Sequence, residues 1–169
     1  MANRLNDLVM ENCRIIFRNF SGKEGKFNPA GRRNFNVVLD ERTAKALMAD
    51  GWNVKMSPPR DLENEEPMYR MEVSVNYNHI PPKIFMISGN VKTELDEDSI
   101  NALDYAEIEN VDMIVRPYIW EVNGKTGVKA YVKSMYVTIV QDEFEEKYRH
   151  LENGKSDDYP KEDDEYLPF

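Results

Sequence analysis

Alternation of apolar and polar residues over positions 111–140 predicts a long β-hairpin. Two β-rich runs, V-D-M-I-V-R-P-Y-I-W-E-V and V-K-A-Y-V-K-S-M-Y-V-T-I-V, flank the turn sequence N-G-K-T-G. We expect a four-residue loop, in which Asn123 pairs with Val128. A two-residue Asn-Gly turn would keep the same side chains on each face, whereas a five-residue loop would place Trp120 opposite Ala130.

In the expected register, rings and cations share one face of this hairpin: Arg116, Tyr118, Trp120, Lys129, Tyr131 and Lys133. Such a face is typical of surfaces that bind single-stranded nucleic acid, because rings stack on bases and cations attract phosphates. The alternative is that the rings pack in the core or against a neighbouring strand. The interleaved lysines favour an exposed surface, since lysine is rarely buried without a partner. Farther along the same face, Ile114, Val137 and Ile139 indicate a bent strand whose buried side changes along its length.

Shorter apolar runs elsewhere predict a mainly β fold with small helices. Strands are predicted at about residues 9–19, 34–39, 52–56, 68–77 and 83–88. A short helix that ends at Gly51 is predicted at about residues 41–50, and one or two helical turns at about residues 99–106. Many short strands favour a closed or partly closed barrel over a parallel α/β sheet. Together with the cationic, aromatic face, the pattern predicts an OB-fold-like antiparallel barrel with short helices.

The first predicted strand has one apolar and one basic face. Its apolar face should consist of Cys13, Ile15 and Phe17. The opposite face, which is basic and aromatic, supplies three candidate nucleic-acid contacts: Arg14, Arg18 and Phe20. Positive charge therefore begins early in the chain and continues into the loop that follows.

That loop, S-G-K-E-G-K-F-N-P-A-G-R-R, spans residues 21–33 and is called the basic loop below. Its glycines and its proline predict flexibility. It adds five candidate contacts: Lys23, Lys26, Phe27, Arg32 and Arg33. We expect the cations to meet phosphates and Phe27 to stack on a base. The alternative is a solvated loop with Phe27 folded back on the core.

The distribution of charge changes what the net charge of −9 implies. Read as an average, a negative charge argues against nucleic-acid binding. Residues 142–169 contain eleven acids and four bases, however, so residues 1–141 carry a net charge of only −2. Residues 94–112 contain eight acids and no base. We expect this acidic block to form a solvated face. The alternative is a specific metal-binding site.

Composition and motifs exclude several functional classes. A single cysteine, Cys13, excludes a disulfide framework and CxxC zinc sites and fits a reducing cytosol. The sequence has no apolar run long enough to span a membrane and no secretion signal, so we expect a cytoplasmic protein. It also lacks the common phosphate-binding and hydrolase motifs. We therefore predict no catalytic residues, no metal and no cofactor.

The end of the chain differs from the rest. Residues 151–169 are rich in acids and contain too few apolar residues to fold alone, yet they end in Leu-Pro-Phe. We expect an OB-fold-like domain over residues 1–150 and a disordered acidic tail with an apolar tip over residues 151–169. The acids should steer the tail toward a basic partner, and the tip should anchor it.

The closing residues D-D-E-Y-L-P-F resemble the acidic tip of bacterial single-stranded DNA-binding proteins. Two segments of the body are similar to phage-encoded single-stranded DNA (ssDNA)-binding proteins: R-I-I-F-R-N-F-S-G-K-E-G-K-F-N-P-A-G-R-R-N-F and R-P-Y-I-W-E-V-N-G-K-T-G-V-K-A-Y-V-K-S-M-Y-V. The resemblance implies an OB-fold, a role in DNA replication, recombination and repair, and no catalytic centre. It also implies that replication and recombination proteins bind the tip through Asp163, Asp164, Glu165, Pro168 and Phe169. Because the bacterial proteins form tetramers, a homo-oligomer is among the implied assemblies.

Residues and resemblance together predict a non-enzymatic protein that binds ssDNA irrespective of sequence. Lysines and arginines would neutralise phosphates and release counterions, while rings would stack on bases. Two other classes remain open. The acidic surface is compatible with a protein-interaction module or an inhibitor that mimics nucleic acid. The abundant carboxylates are compatible with a metal-dependent recombination nuclease.

Overall fold

The structure, a computed structural model, describes residues 5–58, 66–78 and 80–141. The described residues form nine strands: β1 (Leu8–Cys13), β2 (Ile15–Asn19), β3 (Arg33–Leu39), β4 (Val54–Ser57), β5 (Met68–Val75), β6 (Lys83–Ser88), β7 (Val91–Leu95), β8 (Ile108–Val122) and β9 (Lys125–Ile139). Helix α1 (Glu41–Ala49) follows β3, and a 3₁₀ helix (Ile100–Asp104) precedes β8. The predicted tail and the domain boundary at residue 150 lie outside the described residues.

The strands belong to one sheet with the order β1-β8-β9-β5-β3-β2; β4 pairs with β5, and β6 pairs with both β7 and β9. Only Arg14 separates β1 from β2 along the chain, so both ends of this path lie in one short segment. The Arg14 carbonyl accepts a hydrogen bond from the Val38 N–H at 2.9 Å. The sheet therefore curls back on itself, and the prediction of a mainly β, OB-fold-like protein is confirmed. One detail differs: β5 and β6 each run parallel to β9, so the sheet is mixed rather than purely antiparallel.

A bulge half-way along β9 changes which of its residues are buried. Val115 pairs with Val132, but the preceding residue of β8, Ile114, pairs with Ser134. Lys133 is therefore an extra residue, a β-bulge that resets the alternation. The buried side chains of β9 are Val128, Ala130 and Val132 before the bulge and Met135 and Val137 after it. The expectation that the strand buries opposite sides at its two ends is wrong, because the buried residues of β9 all lie opposite one alternate set of β8 residues, which runs from Val111 to Ile119. β9 pairs with β5 before the bulge and with β6 after it.

The first predicted strand is two strands, and a bulge in β2 changes which of its rings is buried. The register shifts between Ile16 and Asn19, which leaves Phe17 and the residue after it opposite Phe35. Phe17 takes a left-handed φ of 54° and is 64% exposed. Phe20 is fully buried and stacks on Phe35, with ring centroids 5.3 Å apart. The predictions that Phe17 is apolar-facing and Phe20 exposed are therefore wrong, because the bulge shifts the alternation by one residue.

Helix α1 begins after a capping aspartate and ends just before the predicted glycine. The Asp40 carboxylate accepts a hydrogen bond from the Thr43 N–H at 2.7 Å, and this bond lowers the pKa of Asp40. Gly51, with a φ of 94°, follows the last turn, and Ala44 and Leu47 are buried against the sheet. No helix in the described ranges is long and apolar enough to cross a membrane.

The other predicted strands are confirmed with small changes at their ends. Residues at alternate positions of β3 and β5 point into the core, among them Phe35, Val37, Met71 and Val73. The strand predicted at residues 52–56 begins at Val54. Trp52 is buried instead and makes an isolated bridge with Val128 of β9.

The acidic block over residues 94–112 includes the end of a strand that the sequence did not predict. β7 reads V-K-T-E-L, with apolar residues only at its ends, yet it pairs with β6 along its whole length. The predicted helical turn follows and buries Ile100 and Leu103. Asp104 accepts hydrogen bonds from the N–H groups of Phe20 and Ser21, at 2.6 and 3.0 Å. Within the described residues, no group of three or more His, Cys, Asp or Glu side chains could hold a metal ion.

Candidate nucleic-acid interface

A two-residue turn connects β8 to β9. Asn123 and Gly124 have φ values of 53° and 79°, and a type I′ turn requires both to be positive. Val122 pairs directly with Lys125. The predicted four-residue loop, with Asn123 paired to Val128, is therefore wrong, because Asn-Gly closes the hairpin with the twist that its strands need. The register differs from the prediction by an even number of residues, so the predicted grouping of side chains is correct between the turn and the bulge. Beyond the bulge it is wrong, because Val137 lies opposite Val111 on the buried face.

Rings and cations face each other across the strands on the outer face of the hairpin. Tyr118 lies opposite Lys129, and Arg116 lies opposite Tyr131. The Tyr118 and Tyr131 rings meet edge to face, with centroids 6.1 Å apart and planes at 83°. The Lys129 ammonium lies 5.2 Å from the centre of the Tyr131 ring. An edge-to-face pair leaves at least one face of each ring uncovered by the other, which keeps ring surface available to a base.

Trp120 lies near the end of the hairpin, over a glycine. Its cross-strand partner is Gly127, where a Cβ atom would lie 2.5 Å from Trp120 Cζ2 and 2.7 Å from Cε2. A larger residue at this position would therefore displace the indole. Trp120 is 36% exposed, whereas Trp52 is 4% exposed. Of the two tryptophans, Trp120 is the one that a ligand can reach.

The outer face of the hairpin continues into a groove that crosses β5 and reaches the basic loop. Two adjoining pockets of about 100 and 460 Å³ share Arg32, Ser74 and Lys129 as lining residues. We call these pockets together the central groove. Its principal side chains are Arg32, Arg33, Tyr77, Trp120, Lys129 and Tyr131. The fold thus brings together candidate residues of the basic loop and of the hairpin, which are far apart in the sequence.

Carboxylates hold both arginines of the central groove. Arg32 is paired with Glu72 at 2.5 Å, and Arg33 with Glu97 at 3.3 Å. The Arg33 guanidinium also lies 5.6 Å from the centre of the Tyr77 ring. Burial raises the pKa of Tyr77 to about 12, so its hydroxyl stays protonated at neutral pH. Arg33 Nε and the Tyr77 hydroxyl are buried without a hydrogen-bond partner among the described residues, so the protein leaves polar groups here unsatisfied.

Side-chain amide contacts organise the basic loop. Asn28 donates hydrogen bonds from Nδ2 to the carbonyl oxygens of Lys23 and Arg32, each at 3.0 Å. Phe27 stands at the tip and is 85% exposed, with the Lys26 ammonium 5.5 Å from its ring centre. The alternative in which Phe27 folds back on the core is therefore wrong. Its ring and both lysines remain candidates for contact with a ligand.

Two predicted contacts stabilise the fold and do not line the central groove. Arg18 Nη1 donates hydrogen bonds to the carbonyl oxygens of Leu103 and Ala106, at 2.8 and 2.7 Å. Phe20 is buried, and its N–H donates to Asp104. Both residues therefore join β2 to the segment around the 3₁₀ helix.

Two further candidates lie outside the lining of the central groove. Arg14 lines a cavity of about 580 Å³ beside β1 and α1. That cavity is larger than either pocket of the central groove, but its lining contains no aromatic side chain. Lys133, the bulge residue of β9, forms an ion pair with Asp7 at 3.0 Å. Neither cation is placed among the stacking rings.

Three residues that sequence reasoning missed lie on the outer surface: Phe17, Arg70 and Tyr105. The Arg70 guanidinium lies 5.3 Å from the centre of the Phe17 ring and donates a hydrogen bond to Asn36 at 2.9 Å. Phe17 and Tyr105 line a separate cleft of about 490 Å³ together with Lys23. The alternation of β5 could have identified Arg70, because it lies between two buried residues. No sequence pattern marks Phe17, since its exposure depends on the bulge.

Residues 1–168 match the family described as "Putative phage ssDNA-binding domain". The chain belongs to this family. The match to phage ssDNA-binding domains spans the basic loop, the hairpin and the predicted tail. No curated protein matches the chain.

Solved structures of the single-stranded DNA-binding protein from bacteriophage Enc34 resemble this phage ssDNA-binding domain. The structure in complex with ssDNA has a TM-score of 0.53 at 12% identity and covers 80% of this chain and 88% of that chain. The C-terminal truncation has a TM-score of 0.52 at 12% identity, with 80% and 87% covered. A third structure has a TM-score of 0.50 at 14% identity, with 78% and 79% covered. At such low identity, the likeness shows a shared fold.

Proposed function

We propose that this protein coats ssDNA without sequence specificity and that the strand lies in the central groove. The observation that carries the proposal is the meeting of Arg32 and Arg33 with Trp120, Lys129 and Tyr131 in one groove. Membership of a phage ssDNA-binding family supports the same ligand. Stacking rings beside a cationic track hold a single strand whatever its bases, because every base has a π face.

Rings of the hairpin supply the stacking. Trp120 is held over Gly127, and Tyr131 is held edge-on by Tyr118, so each ring is positioned before a ligand arrives. Preorganised rings lose little conformational entropy when a base stacks on them. The strand is therefore bound by the shared shape of its bases, and no base edge needs to be read.

Cations of the groove hold the phosphates. Arg32 and Arg33 are paired with Glu72 and Glu97, but partly exposed ion pairs contribute only about 0–1 kcal/mol. A phosphate can therefore replace a carboxylate, and its binding also releases counterions from the nucleic acid. Lys129, between the two pockets, provides a third charge along the track.

The proposed role is to protect phage ssDNA during replication, recombination and repair in the cytoplasm of the bacterial host, without catalysis. The tip is proposed to recruit replication and recombination proteins through Asp163, Asp164, Glu165, Pro168 and Phe169. The resemblance of D-D-E-Y-L-P-F to the acidic tip of bacterial single-stranded DNA-binding proteins supports this. Deleting Phe169 removes no side-chain charge. We expect the variant to bind ssDNA like the parent and to lose its partners in a pull-down from host extract.

A titration of labelled oligo-dT, followed by polarization and by the fluorescence of the exposed Trp120, tests the proposal. We expect saturable binding that quenches the indole, weakens with salt and differs little between oligo-dT and mixed sequences. Failure to bind any oligonucleotide would overturn the proposal and favour a protein-interaction module. Loss of oligonucleotide only when magnesium is added would favour the nuclease alternative.

A further inference from the structure

The side cleft, lined by Phe17, Lys23 and Tyr105, has features of a ligand site that the central groove does not use. Its volume is about 490 Å³, similar to that of the larger pocket of the groove. Phe17 and Tyr105 are 64% and 79% exposed, although each carries an aromatic ring that folding would ordinarily bury. Two open rings beside a lysine repeat the combination found on the hairpin.

The backbone of Phe17 is held in an unfavourable conformation that exposes its ring. A φ of 54° is uncommon for a bulky residue, and left-handed geometry costs free energy in any residue with a Cβ atom. Without the bulge, alternation along β2 would turn Phe17 toward the core. Strained backbone of this kind is enriched at functional sites. The bulge therefore converts a core position into a surface ring.

Arg70 adds a fixed cation to this ring. It reaches across β3 from β5, is held by Asn36 at 2.9 Å, and lies 5.3 Å from the centre of the Phe17 ring. Acids also line the cleft. The Asp104 carboxylate accepts hydrogen bonds from the backbone N–H groups of Phe20 and Ser21, and Glu24 is exposed. The charge around Phe17 is therefore balanced by Lys23 and Arg70.

The basic loop stands between the side cleft and the central groove. Lys23 and Asn28 of the loop line the side cleft, whereas Arg32 and Arg33 line the groove. Four interstrand spacings separate Trp120 on β8 from Phe17 on β2 along the sheet, a path of about 19 Å. At about 3.4 Å per stacked nucleotide, roughly six nucleotides cover this distance.

We propose that the side cleft is a second stacking site for the same DNA strand, which passes the basic loop and places an unpaired base against Phe17 or Tyr105. The proposal rests on the proposed function, because the central groove supplies the first site. It implies that affinity depends on length in two stages. Oligonucleotides that fill only the central groove gain binding free energy from that site alone. Longer ones gain additional binding free energy from the side cleft.

The test is an oligo-dT series from about 4 to about 16 nucleotides with Phe17→Ala and Tyr105→Ala. We expect both variants to bind short oligonucleotides like the parent and to lose roughly 5- to 150-fold in affinity for long ones, the effect of one stacked base. Phe17→Tyr, which keeps the ring, should restore the long-oligonucleotide affinity. Tyr136→Ala is the matched control, because Tyr136 is an exposed ring that lines neither site.

Two further measurements separate this inference from a structural role and from the groove. Phe17→Gly should raise the Tm, since glycine accepts the left-handed backbone, yet should bind long oligonucleotides as weakly as Phe17→Ala. In a Trp120→Phe background, Phe17→Trp places an exposed indole in the side cleft, which long but not short oligonucleotides should quench. Equal loss of affinity at all lengths, or no loss at any length, would overturn the side-cleft proposal. Quenching of Trp120 in the same series reports independently whether the central groove binds.

Discussion

The two ends of β9 carry the same kinds of side chain in opposite surroundings. Before the bulge, Tyr131 lies opposite Arg116, and Lys129 lies opposite Tyr118. After the bulge, Tyr136 lies opposite Asp112 on β8, and its neighbour on β6, Phe85, lies opposite Glu94 on β7. The rings of the hairpin therefore have cations as cross-strand neighbours, whereas the rings at the far end have carboxylates.

The rings also differ in what covers them. Phe85 and Tyr136 stack nearly parallel, with centroids 5.0 Å apart and planes at 17°, and the Lys92 ammonium lies 4.9 Å from the Phe85 ring centre. Tyr118 and Tyr131 meet edge-on at 83°. A lysine lies over one ring in each cluster, but only at the far end do the two rings cover each other face to face. If the hairpin binds DNA as proposed, cross-strand charge and ring orientation, rather than aromatic and lysine content alone, distinguish the two ends.

The largest expected difference between the two ends is the effect of removing a ring. Trp120→Ala and Tyr131→Ala should each weaken the free energy of ssDNA binding by ~1–3 kcal/mol and leave the Tm near that of the parent. Tyr136→Ala and Phe85→Ala should leave affinity unchanged, as measured by polarization with long oligo-dT. If the hairpin variants melted early while their folded fraction bound normally, the rings would be structural and the comparison would fail.

The second largest expected difference is in the salt dependence of DNA binding. Replacing Lys23, Lys26, Arg32 and Arg33 with Ala should flatten the dependence of log K on log salt, by roughly 0.7 for each phosphate that the variant no longer neutralises. Lys92→Ala, at the far end, should leave this slope unchanged. The measurement is a polarization titration at several salt concentrations. An unchanged slope in the fourfold variant would mean that the basic loop does not touch DNA.

A smaller effect is expected from the carboxylates that hold the arginines. Glu72→Gln and Glu97→Gln should release Arg32 and Arg33 and strengthen binding at low salt by up to about 1 kcal/mol, the value of an exposed ion pair. Glu94→Gln, which removes the carboxylate opposite Phe85, is the matched control and should have no effect on affinity. Weaker binding in the first two variants would show that the ion pairs position the arginines for DNA.

The smallest effect should come from the acidic tail. Residues 151–169 contain seven acids and two bases, and a short tether gives an effective concentration near the millimolar range. Deleting them should tighten ssDNA binding modestly at low salt and have little effect at high salt, where charges are screened. Tightening of equal size at all salt concentrations would exclude charge competition as its cause.

Local patterns were sufficient to predict the hairpin face, and even an error in the loop did not change it. The Asn-Gly turn and strict alternation act over neighbouring residues, and an even change of register preserves faces. The fold class followed in the same way from many short strands. β7 was missed because K-T-E lies between its terminal apolar residues, and only pairing with β6 makes it a strand.

Features that depend on long-range pairing could not be predicted. The exchange of roles between Phe17 and Phe20 follows from a bulge in the pairing of β2 with β3. The commitment of Arg18 to the carbonyl oxygens of Leu103 and Ala106 depends on a contact across the barrel. A basic residue on a predicted strand shows where charge is available, but not whether the fold uses it internally.

The passage from β1 to β2 at Arg14 has a consequence for how the chain can be rearranged. The two ends of the strand path are joined there by covalent bonds, although no ladder pairs β1 with β2. A circular permutant with its new termini at this residue would allow the outer edges of β1 and β2 to separate, and unpaired edges recruit strands of other chains. A permutant opened at Asn123 would keep β1 and β2 tied together, and β8 and β9 would keep their outer neighbours β1 and β5. The hairpin that is proposed to hold DNA is thus the safer place to break the chain.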